Sequence, residues 1–170
     1  MAIFLLQFLI GCPGSGKSFL AAQLQQHLPH HGIVSTDQIR WQLYGDEAIQ
    51  GSWAEVEAVV FAQIQRLQST EHSIIYDATN TQYAYRQQFL AKLKDQGITQ
   101  INAWVLQTPL ALCLLRNQRR SRQVAPAIIA AMYDQLQRHP PQLDEGFEHI
   151  YGVTGHQDLT QLLNNHFQRG

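Results

Sequence analysis

Apolar residues along the chain fall into short strand-like runs that alternate with longer segments of helical periodicity. The strand-like runs are residues 3–10, 33–35, 73–76, 101–106 and 150–153. The helical patterns cover residues 17–28, 37–44, 53–69, 82–96, 109–120, 126–137 and 156–167. Strands that alternate with helices form right-handed crossovers and pair in parallel. The pattern therefore predicts a three-layer α/β sandwich, with a mostly parallel five-stranded sheet and helices on both faces.

The composition is that of an ordinary globular domain and limits the function only weakly. The 170 residues are 45% apolar and 15% charged, which fits a single domain over residues 1–170. No segment is long and apolar enough to cross a membrane, so we expect no membrane partner. The formal charge of −1 neither favours nor excludes a nucleic-acid partner. The two cysteines and eight histidines have no metal-binding spacing, and a reducing, cytoplasmic setting is the simple inference.

The segment GCPGSGKS, residues 11–18, joins the first strand-like run to the first helical pattern. Its glycines let backbone N–H groups turn inward around phosphate oxygens, and the following helix adds free N–H groups. Lys17 can reach the β- and γ-phosphates, and the Ser18 hydroxyl can bind Mg²⁺. The motif predicts a site for ATP or GTP with Mg²⁺. The expected nucleotide-binding residues of this loop are Gly11, Pro13, Gly14, Ser15, Gly16, Lys17 and Ser18.

Asp37 begins the helical pattern that follows the second run, and Arg40 lies three residues later on the same helix face. A kinase needs a carboxylate that accepts the proton of the attacking hydroxyl, and Asp37 suits that role. Arg40 suits the binding of an anionic substrate group through paired hydrogen bonds. The alternative is a helix-capping aspartate beside an incidental surface arginine, and the spacing alone leaves both interpretations open.

Asp77, Thr79 and Asn80 follow the third run, which the topology predicts to lie beside the phosphate loop. A carboxylate at such a position often holds Mg²⁺ directly or through water, so Asp77 joins Ser18 as a metal candidate. Thr79 and Asn80 can bond a substrate or brace the turn. For Asn80 a purely structural turn is a reasonable alternative.

Four of the chain's arginines fall within residues 116–122, between two helical patterns. This cluster predicts a lid over residues 114–126 that closes on the triphosphate, where an arginine stabilises charge on the transferred phosphoryl group. The alternative is a solvated charged face, which is the usual role of such clusters.

The three tryptophans are possible stacking platforms for a nucleic-acid base. For Trp104, inside a strand pattern, we expect packing in the core. For Trp41 and Trp53 we also favour packing over stacking.

The set of motifs resembles the kinase domain of the phage and bacterial polynucleotide kinase family, within the wider group of P-loop kinases. The resemblance rests on the loop GCPGSGKS, the segments STDQIR and YDATN, and the arginine segment RNQRRSRQVAP, in that order. It covers residues 3–148. The implied fold is a P-loop NTPase sandwich with an arginine-bearing lid.

The resemblance implies transfer of the ATP γ-phosphoryl group to a 5′-hydroxyl of DNA or RNA. Lys17 and Ser18 would bind the phosphates and Mg²⁺, and Asp37 would be the general base. Arg40 would contact a phosphate of the acceptor strand. Arg120, and with it Arg116, would contact the donor phosphates from the lid. Asp77 matches a position near the acceptor, so a substrate role competes with a role at the metal.

Two alternatives remain open beside a polynucleotide acceptor. One keeps the chemistry and changes the acceptor to a metabolite, a sugar or an antibiotic. The other is a nucleotide-binding switch that transfers nothing. The sequence does not decide the acceptor, RNA against DNA, ATP against GTP, or the oligomeric state, and it implies no obligatory protein partner.

Overall fold

The structure, a computed structural model, describes residues 4–154 and 161–165. The strands are β1 (Leu5–Ile10), β2 (His31–Ser35), β3 (Ser73–Asp77), β4 (Gln100–Leu106) and β5 (His149–Val153). The α-helices are α1 (Lys17–His27), α2 (Thr36–Tyr44), α3 (Trp53–Ser69), α4 (Tyr83–Asp95), α5 (Leu110–Gln118) and α6 (Pro126–Arg138). A 3₁₀ turn covers Leu143–Glu145, and residues 161–165 are also helical. None of the helices in these described ranges is both long and apolar enough to span a membrane.

The five strands form one parallel sheet in the order β2-β3-β1-β4-β5. The phosphate-loop strand β1 is therefore central, with β3 on one side and β4 on the other. Ser35 at the end of β2 is in register with Asp77 at the end of β3. Parallel pairing brings the carboxyl ends of the strands to one edge, and the chemistry-bearing segments follow there.

Two apolar layers cover the two faces of the sheet. Alternate residues of β1 point to opposite faces, so Phe8 packs toward α3 and α4 while Leu9 packs toward α1. Trp104 is fully buried on the α1 face, where its indole N–H donates a 2.6 Å hydrogen bond to Gln7 Oε1. The near-continuous burial of β1 is typical of a central parallel strand.

The sequence predicted every strand and helix from β1 to β5, and each described end lies within two residues of the expected one. Residue 3, the expected start of the first strand, lies outside the described residues. So do parts of the last predicted helix, residues 156–167, although its described portion is helical. The P-loop sandwich is confirmed, with all five strands parallel. The 3₁₀ turn at Leu143–Glu145 was not predicted.

Candidate active site

The phosphate loop connects β1 to α1 through a tight backbone path that requires glycine. Gly14 has φ +79°, and a Cβ there would lie 2.4 Å from the carbonyl oxygen of Cys113 on α5. Gly16 has φ +104° and precedes the first residue of α1. Both backbone conformations are strained for residues with a side chain. The loop therefore packs directly on α5 and exposes the beginning of α1.

The beginning of α1 and the interior of the loop offer hydrogen-bond donors to an anion. The backbone N–H groups in the first turn of any α-helix have no partner within the helix. Among the described residues, no side chain caps those of α1. The hydroxyl of Ser15 is buried and has no partner within that part of the chain. Orphaned donors of this kind fit the phosphate oxygens of a nucleotide.

Lys17 directs its ammonium group back over the loop. Its Nζ donates a 2.9 Å hydrogen bond to the carbonyl oxygen of Cys12, which leaves two further donors. Burial lowers the pKa of Lys17, while the carboxylates of Asp77 and Asp37 oppose that change. Lys17 is thus a half-buried cation close to two carboxylates, one at the end of β3 and one in the first turn of α2.

Ser18 and Asp77 form the pair of oxygen groups that the sequence predicts at the metal. The Ser18 hydroxyl donates a 2.9 Å hydrogen bond to Asp77 Oδ2. Burial raises the pKa of Asp77, and the nearby Lys17 ammonium and the Ser18 hydrogen bond oppose the rise. A hydroxyl beside a carboxylate is the hard oxygen donor set that suits Mg²⁺. No group of three or more His, Cys, Asp and Glu side chains in the described ranges is placed to hold a metal ion by itself. A Mg²⁺ ion held here would complete its shell with phosphate oxygens and water.

Asp37 lies in the first turn of α2 and is not the residue that caps it. The cap is Ser35, whose Oγ accepts a hydrogen bond from the backbone N–H of Gln38. The interpretation of Asp37 as a helix-capping aspartate is therefore not supported. Its side chain is 42% exposed, and its Oδ1 accepts a 3.4 Å hydrogen bond from Arg40 Nη1. The Arg40 side chain is only 14% exposed, and its buried Nε has no partner among the described residues.

The turn after β3 is tied to the phosphate-loop strand. The backbone N–H of Gly11 donates to the carbonyl of Thr79 at 3.0 Å. Asn80, which has φ +51°, donates from its amide Nδ2 to the carbonyl of Leu9 at 2.7 Å. The Asn80 amide therefore braces this turn through its N–H group. Whether Thr79 and Asn80 also bind a substrate stays a prediction.

An ion pair that the sequence did not predict also supports this turn. Arg86 on α4 is 1% exposed and donates to both carboxylate oxygens of Glu145, at 2.6 and 3.0 Å. It also donates to the carbonyl oxygens of Asn80 and His139. Arg86 and Glu145 are 59 residues apart in sequence and show no local motif, so only the tertiary fold reveals them.

The arginine segment is part helix and part loop. Arg116 lies in α5, and its Nη1 donates to the carbonyl oxygens of Gly14 and Ser15 at 3.4 Å each. Arg120 lies just beyond α5 and lines the cleft, where its positive charge adds to the effect of burial in lowering the pKa of Lys17. The lid thus begins directly above the phosphate loop.

One cleft of about 840 Å³ brings most of the predicted site residues together. The predicted residues that line it are Pro13, Gly14, Gly16, Lys17, Ser18, Asp37, Arg40, Asp77, Thr79, Asn80, Arg116 and Arg120. Gly11 and Ser15 lie beneath this surface. The aromatic residues that line the cleft include Trp53 and Tyr85, which are 39% and 60% exposed.

The structure corrects the expectation for two of the tryptophans. Trp41 is 62% exposed on α2, and Trp53 faces the cleft at the start of α3, so neither is packed in the core. Trp104 is buried as expected. Periodicity alone does not separate a core tryptophan from one at the start of a helix that opens onto a cleft.

The sequence over residues 6–141 matches the profile of a family described as an AAA domain. The chain belongs to this family. No curated protein matches the sequence.

Solved structures similar to this AAA-domain chain have the same sandwich. A chain of the Pnkp1/Rnl/Hen1 RNA repair complex aligns with TM-score 0.72 and 21% identity, over 81% of this chain and 45% of its own length. The tunicamycin resistance protein of Deinococcus radiodurans aligns with TM-score 0.68 and 19% identity, over 96% and 95% of the two chains. Kti12 of Chaetomium thermophilum, in complex with ADP-AlF3, aligns with TM-score 0.73 and 16% identity, over 96% and 97%.

These similarities confirm the P-loop α/β sandwich that the sequence predicts. At such identities they establish the fold alone. The AAA-domain chain spans less than half of the matched chain in the RNA repair complex.

Proposed function

We propose that this protein is a Mg²⁺-dependent kinase that transfers the γ-phosphoryl group of ATP to a hydroxyl, with a 5′-hydroxyl polynucleotide end as acceptor. One observation carries the proposal. The Asp37 carboxylate lines the same cleft as the phosphate loop and lies close enough to Lys17 for its charge to oppose the lowering of the Lys17 pKa by burial. A base and a phosphate-binding cation within one cleft are the two halves of an in-line phosphoryl transfer site.

The donor side is formed by the phosphate loop and the beginning of the lid. Lys17 and the N–H groups of α1 would hold the β- and γ-phosphates. Arg116 and Arg120 would reach the same phosphates from above and stabilise charge on the transferring group. Ser18 and Asp77 would hold Mg²⁺, which neutralises phosphate charge when it is bound.

Asp37 would act as the general base for the acceptor hydroxyl. Its position at the lip of the cleft supports this role, because a base must reach a hydroxyl that enters from solvent. The carboxylate would orient the hydroxyl toward the γ-phosphorus and accept its proton as the new P–O bond forms.

The acceptor side favours a substrate that carries both an anion and a planar ring. Arg40 lines the cleft, and its Nε has no partner among the described residues, which suits an acceptor phosphate. Trp53 and Tyr85 present exposed rings in the same cleft, which suits a nucleobase. Thr79 and Asn80 border this half and would contact the acceptor backbone.

A small-molecule acceptor is the second candidate, and the apolar wall of the cleft favours it. Ile128, Ala131 and Met132 of α6 give the cleft an apolar lining, as is common in small-ligand pockets. The tunicamycin resistance protein also aligns along almost its whole length.

An acceptor panel tests the proposal. The protein is incubated with γ-labelled ATP, Mg²⁺ and either 5′-hydroxyl DNA, 5′-hydroxyl RNA, or a set of sugars, antibiotics and nucleosides. Label on an oligonucleotide supports the proposal, and label only on a small compound supports the second candidate. ATP binding with no labelled product under any condition would leave only a nucleotide-binding switch.

A further inference from the structure

Arg122 differs from the other arginines of the lid in its burial. Arg116, Arg119 and Arg120 are all exposed. The Arg122 side chain is only 16% exposed, although it belongs to the loop between α5 and α6. A guanidinium group that is mostly buried in a surface loop needs compensating carboxylates.

Arg122 forms ion pairs with two carboxylates that lie outside the lid. Its Nη1 lies 3.3 Å from Asp37 Oδ1 on α2 and 3.7 Å from Glu47 Oε1 in the loop between α2 and α3. We call this set of three side chains the Arg122 bridge. The bridge joins the lid to the part of the molecule that carries the proposed base.

The lid backbone is shaped so that Arg122 points across the cleft. The Asn117 amide is buried, and it both donates to the carbonyl of Val124 at 2.8 Å and accepts from its N–H at 2.9 Å. Gln123 further donates to the carbonyl of Gln118 at 3.0 Å. These bonds close the loop at its base, so that residues 118–123 project as a defined turn.

The bridge also fixes the orientation of the Asp37 carboxylate. Arg40 and Arg122 both contact Oδ1, from α2 and from the lid. Within residues 4–154 and 161–165, no hydrogen bond or ion pair engages Oδ2. One oxygen is held by two cations, and the other is left to accept a proton.

We propose that Arg122 is a positioning residue, which orients Asp37 and holds the lid against α2, with Glu47 as its second contact. The orientation of Asp37 matters to catalysis only if the proposed kinase function is correct. The contact between lid and α2 does not depend on that function. The two parts therefore have separate tests.

The lid contact is tested by limited trypsin digestion of the full chain, because the lid itself contains trypsin sites at Arg119 and Arg120. We expect cleavage in the lid of Arg122→Ala and Glu47→Ala to be about two- to ten-fold faster than in the wild type. That range corresponds to the loss of one or two partly exposed ion pairs. Ser121→Ala is the matched control, since Ser121 is exposed, does not line the cleft and leaves the trypsin sites intact. Equal cleavage rates for the wild type and both bridge variants would overturn the lid contact.

The positioning of Asp37 is tested by steady-state kinetics with an acceptor that the wild-type protein phosphorylates. We expect Arg122→Ala to lower kcat by about 10- to 100-fold, while the KM for ATP changes less than about three-fold. Arg122→Lys should recover most of this loss, and free guanidinium ion should partly rescue Arg122→Ala. A purely structural role would give neither recovery, and an unchanged kcat would overturn the positioning role.

A double-mutant cycle links Glu47 to Arg122. Glu47→Ala should lower kcat less than Arg122→Ala does, and it should have no further effect when Arg122 is already alanine. An additive effect of the two changes would overturn the role of Glu47 in the bridge. Faster lid cleavage in a protein that phosphorylates no acceptor would support the lid contact and contradict the proposed function instead.

Discussion

The Ser18 hydroxyl donates a 2.9 Å hydrogen bond to Asp77 Oδ2, which joins the start of α1 to the end of β3. The two groups would share one Mg²⁺ ion, so removal of either should raise the Mg²⁺ concentration needed for activity. We expect Ser18→Ala and Asp77→Asn each to raise it by about 10-fold or more. A Mg²⁺ titration of the initial rate measures this, with Ser69→Ala at the exposed end of α3 as the control. An unchanged Mg²⁺ midpoint in both variants would exclude the pair from the metal.

Arg40 is the residue expected to recognise charge on the acceptor. A charge-assisted hydrogen bond to a buried partner contributes on the order of 1.5–3 kcal/mol, or about 10- to 150-fold in affinity. Arg40→Ala should therefore raise the KM for a nucleoside 3′-phosphate by that factor. The KM for the matching nucleoside without the phosphate should change less than about three-fold. Equal changes in KM for both acceptors would show that Arg40 does not bind the 3′-phosphate.

Trp53 and Trp41 form a matched pair for the test of base stacking. Both are exposed, but only Trp53 lines the cleft. Stacking on an aromatic ring contributes about 1–3 kcal/mol per base, so Trp53→Ala should raise the KM of an oligonucleotide acceptor about 5- to 150-fold. Trp41→Ala should leave it unchanged. An acceptor that lacks its terminal base should bind both variants equally, and a full Trp53 effect on that acceptor would argue against stacking.

His31 predicts a specific dependence of stability on pH. Burial, with the neighbouring charges of His30 and His72, lowers the pKa of His31 from 6.5 to about 4. Between these values the unfolded chain gains a proton that the folded chain does not, so the free energy of unfolding falls as the pH falls from 6.5 to 4. In His31→Gln the free energy of unfolding should depend less steeply on pH in this range, by the equivalent of about one proton taken up on unfolding. Denaturant titrations at several pH values measure it, and an identical slope in the variant would contradict the shift.

The elements and much of the cleft could be predicted because their signals are local. The phosphate loop carries its own spacing, and strands alternating with helices bring the residues after β2 and β3 to the edge of the sheet where the loop lies. That is why Asp37, Arg40 and Asp77 could be named from the sequence. Their roles in binding and catalysis remain predictions.

The parts that the sequence did not reveal depend on contacts between distant segments. Arg86 and Glu145 are joined only in the folded chain, and the lid arginine that reaches Asp37 is Arg122, which no local pattern distinguished from its neighbours. Trp53 was expected to pack, because the pattern of a helix does not record whether its first turn faces a cleft.

The paired measurement of ATP binding and phosphoryl transfer in Asp37→Ala tests the central claim most directly. Asp134→Ala is the control, since Asp134 is an exposed aspartate on α6 that does not line the cleft. We expect Asp37→Ala to bind ATP within about three-fold of the wild type and to lose about 100-fold or more in transfer to the acceptor. Full transfer by Asp37→Ala would contradict the assignment of Asp37 as the base of a kinase.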